Sequence, residues 1–216
     1  MRSKFDEELS TLNHELIQMG SMCEEVIALA SKALTEGSSG LALKVEPIDS
    51  EIDRMERTIE SLCLRILLRQ QPVAKDLRQV SAALKMITDM ERIGDQAEDI
   101  AEIIRFLGGR TGGECEYIAL MAQATIKMVT ESVDAFVKQD ISIAKTAIDH
   151  DDEVDDYFDK VKKSLISMIS ERPEDGEYAM DLLMIAKYFE RIGDHAVNIA
   201  EWVVFSVTGT HKGENI

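Results

Sequence analysis

Aromatic residues make up only 5% of this 216-residue chain and prolines number three. Scarcity of both excludes the sandwich and barrel architectures, which draw on aromatic strands and frequent turn residues, and leaves all-α as the comfortable class. Lysine and arginine are also few, 24 against 41 Asp and Glu, for a formal charge of −17. That balance argues against nucleic acid and against direct binding to an anionic membrane, both of which need clustered cations. Cations and basic protein surfaces are the partners it favours. No apolar run reaches membrane-spanning length, and Met1-Arg2-Ser3-Lys4-Phe5 lacks the apolar core of a signal peptide. A cytoplasmic location is therefore expected, with any membrane association indirect. The three cysteines, Cys23, Cys63 and Cys115, are odd in number and lack CxxC spacing. Reduced thiols are expected, with Cys23 and Cys63 as small core fillers.

Catalytic signatures are missing as well. The chain has no Ser/His/Asp or Cys/His arrangement and no zinc-finger spacing, and the glycine-rich run at 108–113 lacks the Lys-Ser/Thr of a phosphate-cradling loop. Action by binding, and no enzymatic activity, is the expectation.

What the chain does contain is a sentence said twice. Glu91-Arg92-Ile93-Gly94-Asp95 returns at Glu190-Arg191-Ile192-Gly193-Asp194, and Asp49-x-x-x-Asp53 returns at Asp151-x-x-x-Asp155. Apolar residues at three- and four-residue spacing predict long helices over 5–36, from about Ile48 to before Pro72, and over 73–107, 115–138, 141–171 and 175–207, with a short helical turn at 41–45. The offset between halves is 102 residues for the first two helices and 99 for the third. The predicted architecture is two tandem three-helix bundles, residues 1–110 and 111–216, related by an internal pseudo-twofold. Gly108 to Gly113 marks the break between them. Each bundle is expected to hold its own core, and the residues after 208 to form a frayed tail.

The repeated motifs set carboxylates into apolar stripes. In the third helix of the first half the seam Leu77, Val80, Leu84, Ile87 runs on through Glu91 and Gly94, and in the second half Leu183 and Ala186 lead to Glu190 and Gly193. Asp95 and Asp194 stand one turn further on the same face, and Asp99 extends the first set where the second has Asn198. An ionised carboxylate at a helix interface costs several kcal/mol unless something cationic compensates it. A bound cation, an Arg from a neighbouring helix, or a seam splayed open to water would each do so. An oxygen-rich set suits Mg²⁺, Ca²⁺, Mn²⁺ or iron, and bridging carboxylates allow a multinuclear cluster. A ferritin-like di-iron site would need Glu-x-x-His, and the residues three after the motif glutamates are Gly94 and Gly193. His150 and His195 adjoin the motifs without first-half counterparts, which predicts surface or packing roles.

Tandem three-helix halves bearing these paired motifs resemble the PhoU family of phosphate-uptake regulators. The likeness runs from Phe5 to about Thr208, and Leu16-Ile17-Gln18-Met19-Gly20 and the stretch from Glu190 to Glu201 carry it in order as well as composition. The resemblance implies a non-catalytic cytoplasmic protein that restrains the phosphate-starvation response between a phosphate ABC transporter ATPase and a sensor histidine kinase. It further implies divalent or trivalent metal ions, a multinuclear iron cluster or Mn, Mg or Zn among them, on Asp49, Asp53, Glu91, Asp95 and Asp99 in one half and Asp151, Asp155, Glu190 and Asp194 in the other. Asn198 would weaken the second site, and a homodimer is compatible with the pattern. The alternative function is a metal store or an oxygen-using di-metal helical bundle.

Overall fold

The structure is a computed structural model that describes residues 2–70, 72–111, 116–211, 214 and 215. Among these residues, eight helices succeed one another: α1 (Arg2–Glu36), α2 (Ser39–Ala42), α3 (Val45–Gln70), α4 (Lys75–Phe106), α5 (Glu116–Lys138), α6 (Ile141–Asp149), α7 (Asp151–Glu171) and α8 (Gly176–Thr208). A 3₁₀ turn at Pro173–Asp175 leads into α8. In each half the first helix closes the same way. Gly37 and Gln139, 102 residues apart, take left-handed conformations, and the residue after each caps the next helix. Ser38 accepts from the Leu41 N–H at 3.2 Å and Asp140 from the Ser142 N–H at 2.8 Å.

The long helices form a closed ring of four with one helix on either flank. Neighbours around the ring are α1, α4, α8 and α5; α3 lies against α1 and α4, and α7 against α5 and α8. The α4–α8 pair is the largest contact and runs antiparallel: Arg78 reaches the Ser206 carbonyl, Asp89 meets His195, and Arg110 meets Asp175. Its pseudo-twofold shows in matched pairs. Asn198 donates to Asp89 at 3.2 Å, and at the equivalent place Tyr188 lies beside Asp99.

Four expectations need correction. The two bundles do not have separate cores: one continuous buried cluster takes in Leu16, Ile59 and Ile87 from the first half and Phe136, Leu165 and Phe189 from the second. The reason is that α4 and α8 are buried on two faces, and the second face is lined by small residues such as Ala82, Ala97, Ala196 and Ala200 that a large-residue pattern overlooks. Leu77, placed on the α4 seam, is 43% exposed, and the buried stripe runs instead through Val80, Ala83, Ile87 and Met90.

The predicted helix 141–171 is two. At His150 the chain tightens to a three-residue turn, with the Glu153 N–H on the His150 carbonyl, while the imidazole is drawn to Glu131 at 2.8 Å and Lys127 at 3.0 Å on α5. Asp151, Asp152 and Glu153 then suit the positive end of a new helix dipole. Finally, the segment after α8 is not simply frayed. Gly209 ends the helix in the left-handed region, Thr210 and His211 pair with Asn215 and Glu214, and the His211 ring sits 3.9 Å from that of Trp202.

Cys23 and Cys63 are buried and unbridged. Burial pushes the Cys63 thiol up to about 12, so it stays protonated packing. Cys115 and the glycines at 112 and 113 fall outside the described residues. No helix among the described residues is long and apolar enough to cross a membrane.

One shared core has a thermodynamic consequence. Denaturation followed by helical circular dichroism and by Trp202 fluorescence should give a single coincident transition. Leu16→Ala, in the half that lacks the tryptophan, should move both signals together by about 2–5 kcal/mol. Two separated transitions would mean the halves fold as independent units.

Candidate functional site

The carboxylates of the first half are gathered where α3 crosses α4. Asp49, Asp53 and Asp95 each bring an oxygen within 4.8 Å of the others, the one such grouping among the described residues. Asp49 lies on the buried side of α3, one turn before Ile52, and is only 8% exposed. Its Oδ1 is buried without a hydrogen-bond partner among the described residues. Gly94 makes this possible. A Cβ there would collide with Asp49 Oδ1, so the α4 glycine is the gap into which the α3 carboxylate fits. The mid-helix glycine, which costs about 1 kcal/mol relative to Ala, is thus explained by a close approach of α3.

Burial pushes the Asp49 carboxyl up to about 7, helped by Glu98, Asp53 and Asp95. Glu91 and Glu98 are also held above the ordinary carboxylate range, chiefly by desolvation and secondarily by neighbouring acids. A hydrogen bond between Glu98 and Asp49 helps to hold the Asp49 carboxyl up. Sequence reasoning missed Glu98. It stands two helical turns beyond Glu91, a spacing that marks one face, but the repeat drew attention away because its second-half counterpart is Val197.

The compensating arginines come from the site's own helices. Arg57 reaches Asp53 at 3.1 Å, and Arg92 reaches Asp95 at 2.9 Å and Glu91 at 3.5 Å. Both arginine side chains are more than half exposed, so each pair is worth roughly 0–1 kcal/mol. Neither reaches Asp49, the one carboxylate that is buried.

In the second half the same crossing is looser. A Cβ on Gly193 would stand 3.3 Å from Asp151 Oδ1, so the Asp151 carboxylate presses less closely on α8 than Asp49 does on α4. Burial, then Asp155 and Asp194, lift Asp151 to about 6. Asp155 and Asp194 are exposed at the surface. Their carboxyls are also raised, first by loss of water on the helix-facing side and then by Glu190, with solvent screening the effect. Glu190 is held by Lys187, which occupies the position of Thr88 in the first half.

Asp99 and Asn198 lie elsewhere. Both face the α4–α8 interface, Asp99 beside Tyr188 and Arg191 and Asn198 on Asp89, and not the α3 and α7 carboxylates. What distinguishes the second cluster from the first is the greater exposure of its acids, and not the amide of Asn198. The histidines have packing roles: His195 Nδ1 is 2.9 Å from Asp89 across the interface, and His150 ties the α6–α7 junction to α5.

Taken together, these features define an internally duplicated, all-helical protein whose second and third long helices clasp a carboxylate cluster in each repeat. The family model described as the PhoU domain matches residues 16–104 and again 118–203, and the chain belongs to the PhoU family. It is 37% identical over 96% of its length, and 86% of the other's, to a Pseudomonas aeruginosa protein named as a phosphate-specific transport system accessory protein PhoU homolog. A Clostridium acetobutylicum relative of the same name is 34% identical over 96% of both chains. The crystal structure of PhoU from Pseudomonas aeruginosa aligns with a TM-score of 0.86 at 36% identity, covering 95% of this chain and 100% of that one. That of the phosphate transport system regulatory protein PhoU from Streptococcus pneumoniae aligns at 0.88 with 26% identity, covering 96% and 98%.

The raised carboxyls make stability depend on pH in a definite direction. Asp49 at about 7 and Asp151 at about 6 both lie above their unfolded values, so the folded state binds protons more tightly than the unfolded chain. In chelator, their contribution to stability should therefore be full at about pH 4 and be lost as pH rises through 6 and 7. Asp49→Asn should flatten the upper part of that curve. A wild-type protein whose melting temperature is level between pH 5 and 8 in chelator would contradict it.

Proposed function

We propose that this protein regulates phosphate uptake by binding, restraining the phosphate-starvation response between a phosphate ABC transporter ATPase and a sensor histidine kinase. The observation that carries the reading is the near-full-length likeness to proteins named as accessories or regulators of phosphate transport, over both repeats. Its charge fits an adaptor for protein surfaces better than a direct binder of anionic membrane. Deleting the gene should derepress phosphate-uptake genes while phosphate is plentiful. Unchanged expression in the deletion strain would overturn the role.

The carboxylate cluster is proposed to hold a hard or borderline cation. What supports this is the buried, unpartnered Oδ1 of Asp49 and the convergence of Asp53 and Asp95 on it. Glu91 and Glu98 would complete an all-oxygen set suited to Mg²⁺, Mn²⁺ or iron, a multinuclear iron cluster included, with Zn²⁺ accepted less readily. Bound there, the ion would supply the positive charge that Asp49 otherwise lacks and cross-link α3 to α4. The Asp151, Asp155, Glu190 and Asp194 cluster would bind more weakly, because Asp155 and Asp194 are exposed and its oxygens do not converge as those of Asp49, Asp53 and Asp95 do.

Thermal melts test the cation directly. Added metal should stabilise the chelated wild type by RT ln(1 + [L]/Kd), about 2.7 kcal/mol at a hundredfold excess over Kd. Asp49→Asn should abolish most of that gain. Glu91→Leu should raise the stability of the metal-free protein by relieving repulsion while also diminishing the response. A wild-type melt that no metal moves, with none found by elemental analysis, would leave the cluster as hydrated and Arg-paired structure.

A further inference from the structure

The outer face of α3 is unlike the rest of this acidic molecule. Between α1 and α3 runs an open groove of ≈ 470 Å³ whose α3 wall carries Arg54, Arg57, Thr58, Ser61 and Arg65, with Glu15 on the α1 side. Leu64 and Leu68 prolong the wall towards the α3–α4 turn, where Val73 stands next; their exposures are 48%, 79% and 73%. Three guanidinium groups thus line the groove, with exposed aliphatic side chains beside and beyond the last of them. From Arg54 to Leu68 this strip spans about 21 Å at 1.5 Å per residue.

The fold does not require this strip. At the equivalent places on α7 stand Asp156, Asp159 and Ser167, opposite or neutral in charge to Arg54, Arg57 and Arg65. The two repeats pack alike with either set, so the arginines are not structural. Nor do their present partners hold them firmly. Arg54 pairs with Glu51 and Arg57 with Asp53 on the same helix, through arginine side chains 70% and 72% exposed. Such exposed pairs are weak and readily exchanged. Arg65 makes no ion pair among the described residues.

We propose that the α1–α3 groove docks an acidic amphipathic helix of a partner protein. Carboxylates on one stripe of that helix would meet Arg54, Arg57 and Arg65, and its apolar residues would cover Leu64, Leu68 and Val73. An extended strip of about four helical turns with apolar and cationic positions along it is the complement of a helix face, whereas an isolated phosphate would need its donors converging on one point. The acid at Glu15 orients the guest, since its carboxylates are steered to the α3 wall. The inference rests on the reading of this protein as a binding regulator and names the face that would do the binding.

The test uses the full-length protein in its own cells, with a benzophenone amino acid at Ser61 in the groove or, as control, at the α7 equivalent Lys163. Cross-linked peptides are mapped by mass spectrometry, and the experiment is repeated with Arg54→Glu and Arg65→Glu together, after circular dichroism has confirmed unchanged helicity and melting. The expected result is a Ser61 cross-link to an acid-rich amphipathic helix of another protein, reduced at least tenfold by the charge reversal and missing at Lys163. A cross-link to phospholipid would make the strip a membrane surface, and one to this chain's own α7 would make it a self-association face; either overturns the proposal. No cross-link, or one indifferent to charge reversal, would leave a solvated, ion-paired helix face. If the deletion strain is derepressed while the cross-link fails, the regulatory role stands and only the docking face is wrong.

Discussion

The antiparallel packing of α4 on α8 governs most of the molecule. It is built from alanines and other buried side chains on the inner faces of both helices, with Asp89, His195 and Asn198 bridging its polar edge. Small residues let two long helices approach closely over many turns, and the antiparallel direction places the pseudo-twofold across their midpoint. Because each helix spends one face on the other and a second on its own repeat, α3 and α7 are left to pack from outside. Their carboxylate-bearing edges therefore meet α4 and α8 at opposite flanks of the molecule.

At each flank the same motif has been developed differently. On α3 the approach is so close that Gly94 is needed, Asp49 is sealed beneath the helix, and Glu98 joins it. On α7 the Asp151 carboxylate presses less closely on its glycine, the acids stay nearer to water, and Lys187 neutralises one of them. Both clusters carry cations from their own helices, Arg57 and Arg92 in the first and Lys187 in the second, and they differ chiefly in burial. In the first cluster neither arginine reaches Asp49, the buried member, and an unpaired buried charge is the costly one. The outer faces diverge too, arginine on α3 against aspartate on α7, with no penalty to packing since both sets point to solvent.

Periodicity and repetition were enough to read the class, the six long helical stretches, the duplication and its offsets, because an apolar stripe every three to four residues leaves a helix few alternatives. Asp49, Asp53 and Asp95 were legible for a related reason: a charge that returns at the same place in an apolar pattern, twice, stands out against composition. The PhoU likeness rested on the same repeated words. What those words could not separate was Asp99 from its neighbours. It lies one turn beyond Asp95, yet a step of four residues advances a helix by slightly more than a full circle, enough to carry Asp99 off the α3-facing edge and towards Tyr188 and Arg191.

The sequence by itself thus determined what is local or periodic: helix content, the break near Gly108 to Gly113, and the presence of two carboxylate groups. Only the tertiary structure decided that the halves share one core, that Glu98 reaches Asp49 while Asp99 and Asn198 turn to the α4–α8 interface, and that His150 divides a helix. Each of these depends on the distance and rotation between two helices far apart in the chain. Those quantities are set by how small side chains interlock at α4–α8 and α3–α4, and a pattern read along one helix at a time contains no measure of them.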